Sequence, residues 1–200
     1  MKTSSIVLGV LLLIIAIFCI NGCNTRNSLV EQEVAVTGQW HQVENQYQRR
    51  MDLIPNLVAT VKNYADFEKS TLEGVIQARA KATQVTIDPS KLDEASIQKF
   101  QQAQSAVSSS LGRLLAVAEN YPQLKANEGY INLATQIEGT ENRIGNERKV
   151  YNEMVQKYNA NIRLFPANIW AGMFGFQPKP FFEGQAGSDK APDVNNLFKK

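Results

Sequence analysis

From Tyr130 to Phe165 the sequence keeps one spacing without a lapse: Tyr130, Ala134, Ile137, Glu141, Ile144, Arg148, Tyr151, Val155, Tyr158, Ile162 and Phe165. Steps that alternate between three and four place all these side chains on one face of an α-helix. A helix with so regular a seam needs another helix against it along its length. Whether that partner lies in this chain or in a second copy is open at this stage. Two members of the seam are charged. Glu141 and Arg148 stand seven residues apart, and their charges are costly to bury unless they are paired. The expectation is a polar layer that fixes helix register, with a binding or catalytic Glu141 as the alternative.

The partners for those charges are sought in Gln46–Glu68, QYQRRMDLIPNLVATVKNYADFE. From Trp40 into this stretch, the row Trp40, Val43, Tyr47, Met51, Ile54, Val58, Val61 and Ala65 repeats the three-four step, widened by Leu53, Leu57 and Tyr64. Pro55 interrupts it, because proline lacks the N–H that an interior turn uses. Either one long helix kinks there, or a second helix begins at Asp52 as its N-cap. No Gly stands near Pro55 to make a tight reversal, which favours the kink. Arg49, Arg50 and Asp52 read as a solvated charged turn or as a partly buried ionic cluster facing Glu141 and Arg148.

Before that region, Ser4–Cys23 is twenty residues without a charge, preceded by Lys2. Such a segment is long enough to span a bilayer as one helix, and the preceding positive charge favours a cytoplasmic N-terminus. The rival reading is a cleaved signal whose lipobox, Ile20-Asn21-Gly22-Cys23, ends in a lipidated Cys23. Both keep the following domain at the membrane on its extracytoplasmic side. Asn24–Asn27 reads as a polar joint, and the Ser28/Glu31 capping-box spacing as the start of a new helix.

Further along, the helical pattern of the central stretch continues past Glu68 to about Gln84 and stops at Asp88-Pro89. Another helix opens near Leu92 and runs through Ile97, Phe100, Val107, Leu111, Leu114 and Ala118 to Tyr121-Pro122. Its other face, Gln101, Gln102, Gln104, Ser108 and Ser109, reads as exposed. After Phe165-Pro166, residues 167–183 carry Trp170, Phe174, Phe176, Phe181 and Phe182. This segment either folds back as an aromatic cap, docks a partner, or dips into the membrane interface. The remaining 184–200 stretch is polar and reads as a disordered tail.

The fold expected is therefore all-α: an antiparallel bundle of three or four long helices over 24–183, with a kink or break at Pro55, after a single N-terminal membrane anchor at 1–23. With 21 Lys+Arg against 19 Asp+Glu, the net charge of +2 gives no reason to expect nucleic acid. Both cysteines, Cys19 and Cys23, lie in the apolar segment, so disulfides cannot staple the domain. His41 is the sole histidine and has no second one with which to hold a typical zinc ion. No Walker loop, GxSxG elbow or HExxH pair is present, and no cofactor is expected.

Three stretches together, YQRRMDLIPNLVATVKNYADFE at 47–68, GTENRIGNERKVYNEMVQKYN at 139–159, and FPANIWAGMFGF with FFE at 165–183, resemble the LemA family of bacterial membrane-anchored proteins. The resemblance covers 28–183 and implies an all-helical ectodomain on one N-terminal segment, with no catalytic residues to carry over. It also implies a partner among envelope proteins, such as a membrane protease or a TPM-domain protein. The Gly22-Cys23 pair departs from the family's transmembrane anchoring. The function expected is that of a membrane-tethered scaffold or adaptor without catalysis. The alternatives are an envelope sensor or lipid-binding protein that uses 169–182, and a Glu141-centred hydrolase.

Overall fold

A computed structural model describes residues 2–64 and 68–184, and every regular element among them is helical. The expected tail lies, from residue 185 onward, outside the described residues. Helix α1 (Lys2–Lys62) is continuous from the apolar run into the domain. It is followed by α2 (Lys69–Thr83), a 3-10 turn at Pro89–Lys91, α3 (Glu94–Ala118), a single turn α4 (Pro122–Lys125), α5 (Glu128–Asn161) and α6 (Ala167–Phe174). The four long helices form an up-down-up-down bundle. Arg79 of α2 lies beside Met51, and Asn161 at the end of α5 lies beside Gln32 near the start of the domain.

Local sequence explains most of the ends. Asp93 accepts from Ser96 N at 2.7 Å while the Ser96 hydroxyl accepts from Asp93 N at 3.3 Å, a reciprocal cap that starts α3. That bond from the Ser96 amide also holds the Asp93 carboxyl below its ordinary pKa. Asn127 caps α5 through Tyr130 N at 2.9 Å. Gly175, at φ 76°, ends α6 in the left-handed conformation that glycine adopts at little cost.

Two expectations about α1 are corrected, and the less favoured of the two readings at Pro55 is set aside. The polar joint at 24–27 is not a break, and Ser28 is not a cap: it lies inside the helix and bonds to Gln32. No second helix begins at Asp52 either, because α1 continues through Pro55. The carbonyl that loses its partner to Pro55 is that of Met51, four residues earlier, and Arg79 Nε donates to it at 3.0 Å. The real end of α1 is at Lys62, and α2, from Lys69, lies antiparallel to it so that Leu72, Val75, Ala78 and Ala82 bury against Met51, Ile54, Leu57 and Val61.

The core has two halves. One is aliphatic and lies between the far halves of α1, α2, α3 and α5, around Leu57, Val75, Leu114 and Ile137. The other is aromatic, built on Trp40, Tyr47, Phe100, Tyr151, Tyr158 and Phe182. Between the two halves sits Arg50.

The last described residues, 176–184, have no regular structure and run as an extended strap along α5. Asn159 exchanges two bonds of 2.8 Å with the backbone of Lys179. Asn152 does the same with Phe182, at 2.8 and 2.9 Å. These amides mimic a strand's donor and acceptor and so satisfy backbone groups that a sheet would otherwise pair.

Candidate functional site: a polar cleft over Arg50

Arg50 is 0% exposed although it carries a full charge. A buried guanidinium is tolerated only when its donors are answered. One terminal nitrogen donates to Ser108 Oγ at 2.6 Å and to Glu141 Oε1; the other donates to Gln104 Oε1 at 2.6 Å and Gln104 O at 3.2 Å. Its Nε is buried without a protein partner. The guanidinium also lies 5.2 Å from the centre of the Tyr47 ring. Three helices therefore meet at one charge: α1 supplies it, α3 the glutamine and serine, and α5 the carboxylate.

Above this layer opens a cleft of about 710 Å³ between α3 and α5. Its walls include the amides and hydroxyls of Gln98, Gln101, Gln102 and Ser109 beside apolar surface such as that of Ile144. Arg148 and Glu183 stand at its rim, where an Arg148 guanidinium nitrogen donates to the Glu183 carbonyl at 2.8 Å. Burial pushes the Tyr47 hydroxyl above its ordinary pKa, against the opposing pull of Arg148 and Arg50. The cleft can offer hydrogen bonds in both directions. It holds no histidine: His41 is exposed on α1 and bonds to Glu44 at 3.0 Å. Among the described residues no group of three or more His, Cys, Asp or Glu could hold a metal ion.

The residues singled out from sequence separate here. Arg50 and Glu141 meet. Arg49 and Asp52 do not join them: both are exposed, and Asp52 accepts from Gln48 at 2.7 Å. Arg148 is half-buried but lies one layer away, with its guanidinium 4.9 Å from the centre of the Phe182 ring. Gln104 and Ser108 are not simply exposed surface, since Gln104 is buried and Ser108 half-buried. Their signal was a gap: the α3 row steps seven residues from Phe100 to Val107, and Gln104 is the missing member. Of the aromatic segment, Trp170 and Phe182 are buried, Phe176 is half-buried, and Phe174 and Phe181 remain exposed. Phe182 stacks on Trp40 with centroids 5.4 Å apart and planes at 9°. Phe165, the last of the seam, is exposed beyond the end of α5.

A family model for the LemA family matches residues 39–196, most of the chain and the whole of this site. The chain belongs to the LemA family. Protein LemA of Metamycoplasma hominis is 25% identical over 160 residues, covering 80% of this chain and 69% of the relative. Magnetosome protein MamQ 2 of Paramagnetospirillum magneticum is 31% identical over 98 residues, and MamQ of Magnetospirillum gryphiswaldense 26% over 98. Those matches cover 49% of this chain and 36% of each MamQ protein, so this LemA-family chain aligns with just over a third of their length.

Proposed function

We propose that this LemA-family chain is a membrane-anchored scaffold of the cell envelope that presents the polar cleft to another envelope protein. The observation that carries this reading is the continuity of α1, which joins a run long and apolar enough to cross a membrane to the floor of the cleft without a flexible joint. Twelve large apolar side chains between Ile6 and Ile20 are each 49–67% exposed, a surface that calls for lipid. Lys2 before that run favours a cytoplasmic N-terminus and a bundle on the far side.

A retained anchor accounts for the packing better than a lipidated Cys23. Gly22 is buried, and a side chain there would come within 2.7 Å of the Trp170 ring. Phe18 packs on the same ring, with centroids 4.4 Å apart and planes tilted by 43°. Cleavage before Cys23 would remove both supports. The intact mass of the native membrane protein decides the matter: residues 1–22 retained supports the anchor, and a diacylglyceryl mass on Cys23 overturns it.

A peptide segment rich in amides or hydroxyls suits the cleft chemically, and a membrane protease or a TPM-domain protein is the partner class that the family suggests. Photo-crosslinkers placed at Gln102 and Ser109 of the full chain in native membranes test this. One discrete adduct with a membrane protein at both positions, and none from Gln123 at the opposite end, is expected. Adducts with the chain itself alone, or none, would overturn the adaptor reading.

A further inference from the structure

The corner between α5 and α6 exposes large apolar side chains that the bundle does not use. Leu164 is 61% exposed, Phe165 80%, Ile169 42% and Met173 67%. Ile169 and Met173 are one turn apart on the face of α6 away from buried Trp170 and Ala171. On a domain surrounded by water such a cluster would be a liability for association.

Its height along α1 is fixed by contacts on the other face of α6. Trp170 packs on Phe18 and Gly22, and Arg26 lies over the Phe174 ring at 5.6 Å. Positions 18, 22 and 26 form one face of α1 at steps of four, so α6 runs alongside α1 in the same direction. Its beginning, and the Leu164-Phe165 turn before it, therefore point back towards the apolar run. The charge-free stretch Ser4–Cys23 is about 30 Å long at 1.5 Å per residue, the thickness of a hydrocarbon core. Phe18 and Gly22 belong to its last turns. Arg26 and Arg163, both exposed, stand just outside that level, where cationic side chains meet lipid phosphates favourably.

The geometry points to this corner as a second membrane contact, in which Leu164, Phe165, Ile169 and Met173 enter the boundary between headgroups and acyl chains beside α1. The inference rests on the reading that α1 crosses the bilayer, and it adds that the domain is seated on the lipid surface. Amphipathic faces of this kind bind interfaces through buried apolar area together with attraction to anionic lipid.

The test uses the full chain with Cys19→Ser and Cys23→Ser, carrying one cysteine at a time. A polarity-sensitive fluorophore is attached to Phe165→Cys, Met173→Cys, Ile14→Cys or Gln123→Cys. Each protein is reconstituted in vesicles of zwitterionic and anionic phospholipid, with and without a nitroxide-bearing lipid. The expected result is a blue-shifted emission at 165 and 173 that the nitroxide lipid quenches as it does at 14, with no loss at 123. Quenching at 14 but not at 165 and 173, with those labels open to aqueous iodide, overturns the contact while leaving the span intact. Labels at 165 and 173 shielded from both quenchers mean that a second copy covers the corner, which also overturns it. Failure to quench at 14 removes the span and this inference together.

Discussion

On one side of Arg50 the core is aliphatic and closed by helices alone; on the other it is aromatic and closed by a strap that carries no helical structure. The aliphatic half sets α1 against its sequence neighbours α2 and α3 and against the start of α5, with Arg79 answering the carbonyl that Pro55 leaves free. The aromatic half closes only when residues 179–183 return across α5 and place Phe182 between Trp40 and Tyr151. Local patterning builds the first. The second depends on side chains reaching a backbone more than twenty residues away, as Asn152 and Tyr151 do for the strap.

The largest effect is expected where the halves join. Arg50→Ala should destabilise the bundle by about 3–5 kcal/mol, because it leaves a cavity and strands Gln104 and Glu141. Chemical denaturation of the full chain in detergent reads it, and replacing the pair together by Met and Leu should recover much of the loss. Phe182→Ala comes next, at about 3 kcal/mol, confined to the aromatic half. Hydrogen exchange should then rise at Trp40 and Tyr151 while amides around Leu57 stay protected; a uniform rise would mean that the halves are one cooperative unit.

Raising the pH offers a milder way to separate them. Burial pushes the Tyr158 hydroxyl up to about 12 from 10.0 and raises the hydroxyls of Tyr151 and Tyr47 as well. Between pH 10 and 12 the unfolded chain loses protons that the folded chain keeps, so stability falls as pH rises. Tyr158 should account for about 1–2 kcal/mol of that fall, and Tyr158→Phe should make the alkaline limb of a melting-temperature profile shallower, with the shares of Tyr151 and Tyr47 remaining. In the aliphatic half, Arg79→Met should cost about 1–2 kcal/mol by leaving the Met51 carbonyl unsatisfied. Restoring the amide with Pro55→Ala should make the same change at Arg79 nearly silent. Smallest is Arg148→Ala, at about 1 kcal/mol, since its guanidinium supports Phe182 from a half-exposed rim. A loss near that of Arg50→Ala would place it inside the buried layer instead.

Much of the architecture was legible because three-four spacing runs through α1 from Trp40 onward, through α3 with a single place taken by Gln104, and through α5. The pairing of Arg50 with Glu141 was visible as charge in an apolar seam, while Arg49 and Asp52 looked equivalent only because spacing does not say which side of a helix faces a neighbour. Gln104 was hidden by its type, since a glutamine in a row of glutamines reads as surface until the empty place in the heptad is noticed. Breaks were the hardest to see. Ser28 and Pro55 carry genuine local signals worth about 1–3 kcal/mol, and contacts from α6 and α2 outweigh them. The strap has no periodicity, so nothing in 176–184 announced that Asn152 and Asn159 would hold it.

An unbroken α1 also has a mechanical meaning. From Asn24 to Lys62 it extends about 58 Å at 1.5 Å per residue. A tilt of about ten degrees imposed on the first twenty residues would swing the far end by roughly 10 Å if the rod moves as one. On the proposed reading that the first segment spans a bilayer, a change in bilayer thickness or in the company kept by that segment becomes a displacement of everything built on the other end. The same reading makes the helix a lever as well as a tether.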